Sequence, residues 1–183
     1  MQNEPHAAAD AQGATSAEAS YTTLHNGMRV PASMAGIAAA YLQQCLSGAN
    51  WFFWIAGLSL VNSVIAHASG RWSFLVGLGL TQLIDGLAIG LSQQLGGAAT
   101  TVALVLDLCV AGIFVGVGLF ARKGLLWAFV LGLFIYALDG LIFVFVQEWL
   151  SIAFHAFVIF RLYQGFTACK KLRALEAETM MAR

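Results

Sequence analysis

The sequence predicts an all-α integral membrane protein, a bundle of five transmembrane helices. Three observations predict it. Hydrophobic residues make up 60% of the 183 residues and charged residues 10%, whereas soluble domains hold about 45–50% and about 25%. From Trp51 onward the chain is almost unbroken apolar sequence, interrupted at four short polar or glycine-rich breaks. Tryptophans stand at the edges of the segments so defined: Trp51 and Trp54, Trp72, Trp127 and Trp149, as interfacial aromatic belts require. Mean hydropathy is +0.78. Lys and Arg total 9 and Asp and Glu total 9, so no global field favours nucleic acid or another polyion. Disorder throughout and a coiled coil are excluded by the same composition.

Residues 1–31 read as a disordered, non-cytoplasmic tail. They are rich in Ala, Gly, Ser, Thr and Gln, carry Glu4, Asp10 and Glu18, and hold too little apolar surface to order themselves. A secretory signal needs an early basic region followed by an apolar run, and residues 1–28 contain neither; Met28 and Met34 are candidate alternative starts. Residues 32–50 read as an interfacial helix, because the apolar stretch 33–47 is too short to span.

The membrane domain is 51–168. A hydrocarbon core about 30 Å thick needs about 20 apolar residues per helix, which places spans at 51–69, 73–95, 99–121, 125–147 and 149–168. Gly70-Arg71-Trp72, Leu95-Gly96-Gly97-Ala98, Arg122-Lys123-Gly124 and Gln147-Glu148-Trp149 separate them. Such short connections make consecutive spans antiparallel neighbours. No proline follows Pro31, so no span carries a proline kink. Residues 169–183 read as a basic cytoplasmic tail, a short exposed helix lying on anionic lipid. With five spans, Arg71, Arg122, Lys123, Lys170, Lys171 and Arg173 share one side and Arg29 stands opposite. The positive-inside rule then puts the N-terminus outside and the C-terminus in the cytoplasm of a multi-pass cell-membrane protein.

The second and fourth spans resemble each other. Trp72-Ser-Phe74-Leu-Val-Gly77-Leu78 followed by Asp85-Gly86-Leu87 matches Trp127-Ala-Phe129-Val-Leu-Gly132-Leu133 followed by Asp139-Gly140-Leu141. A duplicated helical hairpin, spans 1–2 and 3–4 with a fifth span added, produces such a pattern. Gly112-x-x-x-Gly116 gives the third span a small face for close helix approach.

Cysteine usage is sparse. Cys45, Cys109 and Cys169 lie far apart without CxxC spacing, so neither a zinc site nor a disulfide framework is expected. Cys109 reads as a small packing residue. Cys169, beside Lys170 and Lys171, is a candidate for lipidation.

Intramembrane polar residues are the only chemistry on offer. A charge at the bilayer centre costs at least ~2.5–3.5 kcal/mol, so such residues turn inward and find partners. Asp85, Asp107, Asp139 and His155 lie on four different spans at depths of roughly 9–15 Å from the outer surface, at about 1.5 Å per residue. They form the candidate ion or proton cluster. Asn62, Gln82 and Tyr136 are its supporting polar residues; Arg161 points elsewhere or snorkels.

Three readings compete. In the leading one the protein is a non-enzymatic structural or accessory membrane component whose Asp/His cluster fixes helix packing. The alternative is a small cation- or proton-linked transporter. The third is a metal-dependent membrane enzyme, since Asp and His suit a divalent ion; no HExxH or GxSxG motif supports it. No signature of a characterised family is present, and the sequence points to no cofactor. The expected partners are the lipid bilayer and further subunits, whether copies of this chain or a larger membrane complex, and not nucleic acid.

Overall fold

In the computed structural model the described residues are 21–24, 27, 29–69, 78–95 and 97–181. They form two strands, β1 (Tyr21–Thr23) and β2 (Arg29–Pro31), and five α-helices: α1 (Ala35–Ser69), α2 (Gly79–Leu95), α3 (Gly97–Arg122), α4 (Leu126–Val146) and α5 (Trp149–Met181). The helical expectation holds. Four helices, α1, α3, α4 and α5, are long and apolar enough to cross a membrane. Helix α2 has 17 residues, about 25 Å of helix against a core of about 30 Å. The break at 70–72, the start of the expected second span and the Trp72–Gly77 half of the repeat lie outside the described residues.

The chain divides into two units. The first comprises residues up to Gln44 and from Ala168 onward. Here β1 and β2 pair antiparallel, Tyr21 opposite Pro31, with Gly27 in the left-handed conformation between them (φ +82°). Val30, Ala38 and Leu172 make a small core, with Leu24, Tyr41, Leu42 and Leu175 packed on it. The ammonium of Lys171 lies 5.4 Å from the Tyr41 ring centre. Within the segment expected to be disordered, Tyr21–Thr23 and Arg29–Pro31 are paired strands, and Val30 finds an apolar partner, Leu172, more than a hundred residues away in the chain. Val30 near one end of the chain and Leu172 near the other thus share one small core.

The chain makes one 3₁₀ turn at Ala32–Met34 and then continues as α1 without a break from Ala35 through Trp51 to Ser69. Likewise α5 runs on through the expected tail to Met181. No Pro stands at either junction, and Gly48 and Gly165 beside them remain in the helices.

The second unit is Cys45–Thr167. Helices α3 and α4 join at Gly124, which takes the left-handed φ of +74° that the tight turn requires. Glycines then set the close approaches. Gly48 of α1 meets Gly165 of α5 backbone to backbone, and a side chain at Gly132 of α4 would collide with Phe52 of α1. Phe52 also rests on Phe129, with ring centres 5.9 Å apart. By contrast, a Cβ on Gly86, Gly90, Gly112 or Gly116 would meet nothing within 4 Å. The Gly112-x-x-x-Gly116 face thus packs against no other part of the described chain; it points outward with Val105 and Leu108. Trp127 and Trp149 are exposed at helix starts, where a belt would hold them, whereas Trp54 is exposed in the middle of α1.

Cys109 is an exposed free thiol, not a packing residue, and Cys45 and Cys169 are both disulfide-bonded. The latter carried no sign in the sequence, where CxxC spacing is absent.

Candidate functional site

The site is built around the first turn of α2, which begins inside the bundle. A helix start leaves backbone N–H groups without partners. Here Asp139, in the middle of α4, supplies them: Gly79 N–H donates to Oδ2 at 2.8 Å and Leu80 N–H to Oδ1 at 2.9 Å. The carboxyl also meets the positive end of the helix dipole. Gly79 permits this approach, because a Cβ there would run into Phe143 and the Asp139 carbonyl at 2.9 and 3.1 Å.

His155 of α5 completes the pair. Its Nδ1 lies 2.8 Å from the Ser151 carbonyl oxygen and its Nε2 3.1 Å from Asp139 Oδ2. A carbonyl only accepts, so Nδ1 carries a proton and donates. The Nε2–Oδ2 contact then needs one further proton, held by either partner. The pair is neutral as a whole in both forms, which suits a site where His155 is 3% exposed and Asp139 7%. Tyr136 stacks on the imidazole at 4.5 Å between ring centres. A Cβ on Gly140 would touch the ring at 3.1 Å, so Gly140 makes room for His155.

The other flank of the α2 start is tied to α1. Thr81 donates its hydroxyl proton to the Leu78 carbonyl at 2.9 Å, so in the 2.9 Å contact between Ser59 and Thr81 it is Ser59 that donates. One polar layer therefore crosses the bundle: Ser59, Thr81, the α2 N-terminus, Asp139, His155.

Helix directions follow from the same contacts. Phe52 sits level with Gly132 of α4. Seven residues further along each helix, Ser59 and Asp139 flank the same turn of α2, so α1 and α4 run the same way. Helix α3, turning back into α4, opposes both. Helix α2 packs along α3 and is separated from it by one residue, and so runs parallel to α1. Four residues on from the Ser59–Thr81 contact lie Ser63 and Asp85. Asn62 and Ser63 on α1 and Asp85 on α2 thus lie about one helical turn further along their own helices than Ser59 and Thr81. Asn62, Ser63, Asp85 and Asp107 are buried, at 1, 1, 2 and 1% exposure. Neither amide atom of Asn62 has a hydrogen-bond partner among the described residues.

Asp85, Asp107, Asp139 and His155 are each buried, on four different helices, and Asp139 and His155 are in direct contact. Tyr136 belongs to the polar layer, and Asn62 lies about one turn beyond Ser59 along α1; Gln82 is half-buried on α2. Arg161 turns away, donating to Gln164 at 3.0 Å and Ser47 at 3.3 Å. The side chains of His67 and Ser92 lie outside the described residues. Sequence reasoning missed the backbone donors of Gly79 and Leu80, because it carried the second span through them as helix interior. The two repeat copies also differ in surroundings: Gly140 abuts His155, whereas Gly86 faces open space.

Among the described residues no group of three or more His, Cys, Asp or Glu could hold a metal ion. An apolar cleft of ≈ 420 Å³ lies between α2 and α3, lined by residues such as Ile84, Leu87, Ala88, Val102 and Leu106. No family model, curated protein or solved structure matches the chain.

Proposed function

We propose that the protein is a non-enzymatic, multi-pass membrane component whose buried Asp/His cluster organises its helices. One observation carries this reading. Both oxygens of Asp139 are engaged within the chain, by Gly79, Leu80 and His155, leaving the pair joined to three helices at once. Such a group braces a bundle. The test is Asp139→Asn and His155→Gln in the full-length protein. Both variants should unfold at lower temperature in detergent while ion and proton flux in liposomes stays at the parental level. Parental stability with altered flux would overturn the reading.

A second reading, cation- or proton-linked transport, has its own support. Asp85 and Asp107 are buried acids in a membrane-type bundle, and the buried Asn62 amide makes no hydrogen bond among the described residues. Buried acids of this kind commonly mark ion pathways, and interrupted helices line many of them.

The topology that fits both readings has four crossings, by α1, α3, α4 and α5, with α2 occupying part of the membrane thickness and both chain ends on the cytoplasmic side. Arg29 then joins Arg122, Lys123, Lys170, Lys171 and Arg173 inside, and Arg71 alone moves out.

A further inference from the structure

We propose that the turn between α3 and α4 binds the headgroup of an anionic phospholipid through Arg122 and Lys123. This goes beyond the function proposed above and rests only on its membrane placement. Both side chains are exposed where α3 ends, and each stands over an aromatic ring. The Arg122 guanidinium lies 5.9 Å from the ring centre of Phe53 on α1, and the Lys123 ammonium 5.7 Å from that of Phe120 on α3. Both fall within the roughly 6 Å over which a ring face attracts a cation. Phe120 in turn leans on Trp127 of α4, with ring centres 5.3 Å apart. Three helices therefore supply rings to one turn. Phe120 and Trp127 are 43% and 52% exposed, which suits the interfacial layer where aromatic rings settle. Cations carried on such rings stand at the depth of the lipid phosphates.

Charge selects the ligand. Residues 45–167, the unit that contains the turn, hold four acids: Asp85, Asp107, Asp139 and Glu148. At about 1.5 Å per residue, Asp139 lies about 20 Å from the start of α4 and Asp107 about 22 Å from Arg122. Glu148 follows the far end of α4, and Asp85 is on α2, which starts at Asp139 and runs away from the turn. No carboxylate of this unit reaches Arg122 or Lys123, so two positive charges stand side by side unopposed. A lipid phosphate supplies the missing negative charge. Gly124 leaves room for it, since even a Cβ there would meet nothing within 4 Å. The apolar surface beside the turn makes the ligand a lipid rather than a soluble anion: Leu119 and Val130 are exposed next to Phe120 and Trp127, and acyl chains cover such faces while a free phosphate does not.

The experiment mixes the purified full-length protein in detergent with phosphatidylglycerol or with phosphatidylcholine, whose choline cancels the same phosphate, and counts retained lipid by native mass spectrometry. The parent should retain phosphatidylglycerol in preference to phosphatidylcholine. Arg122→Gln and Lys123→Gln should each weaken retention about fivefold, the size of one basic residue's attraction to an anionic lipid surface. Lys123→Arg, which keeps the charge, should retain lipid as the parent does. So should Arg29→Gln, which removes an equal charge from an exposed position on β2. Equal retention of the two lipids overturns the proposal, as does parental retention in both Gln variants or a loss in Arg29→Gln that matches theirs. Displacement of phosphatidylglycerol by inorganic phosphate also overturns it, by making the ligand a soluble anion. Insertion into vesicles is scored separately. A parent that inserts but shows no lipid preference loses this site and keeps its membrane placement, whereas one that inserts into vesicles of neither lipid loses both.

Discussion

The imidazole Nε2 of His155 stands 3.1 Å from Oδ2 of Asp139, and the same oxygen accepts the N–H of Gly79 at 2.8 Å. One atom thereby connects α5, α4 and the first residue of α2. Truncation should expose how much rests on it. Asp139→Ala leaves two helix-start N–H groups and an imidazole without their acceptor, and breaking a buried pair costs about 3–5 kcal/mol. Asp139→Asn keeps the shape but puts an NH₂ against one of its donors, at about 1–3 kcal/mol. Thermal unfolding in one detergent should rank the parent first, Asn second and Ala last. Equal midpoints would show that α2 does not depend on this cap.

Glycine substitutions separate packed from open faces. Gly132→Ala drives a methyl into Phe52, and overpacking of this kind costs about 1–3 kcal/mol. Gly112→Ala meets open space and gains helix propensity, so it should be at least as stable as the parent, by up to ~1 kcal/mol. The contrast is measured on monodisperse protein by the same unfolding assay. A loss at Gly112 matching that at Gly132 would mean that the outward face is engaged after all.

Topology can be read with reporters. Tags at the N- and C-termini should be accessible from the same, cytoplasmic side. Single cysteines introduced at Arg71 and Arg122 in a background lacking native thiols should label from opposite sides. Termini reporting from opposite sides would restore five crossings.

Thiol counting checks the cysteines. Alkylation in denaturant without reductant should modify Cys109 alone, and all three cysteines after reduction. Mass spectrometry resolves the two outcomes, and three modifications before reduction would remove the disulfide.

Composition and pattern were sufficient for much of this. Apolar runs of about 20 residues admit little except helices in lipid, and α3, α4 and the start of α5 fall close to their expected bounds. Burial of Asp85, Asp107, Asp139 and His155 was equally legible, because lipid-facing charge is too costly to tolerate. The charge rule, however, could not settle topology. With five crossings Arg71 is inside and Arg29 outside; with four, the two exchange places and the bias is unchanged.

The chain's own sequence determined that it is helical, apolar and internally acidic, since these follow from local residue chemistry and from what a bilayer permits. Tertiary structure alone decided that α2 starts at Asp139, that Val30 and Leu172 share a core, and which acid pairs with His155. Those are contacts between residues distant in the chain, chosen by helix direction and glycine-permitted approach, and hydropathy carries no record of either.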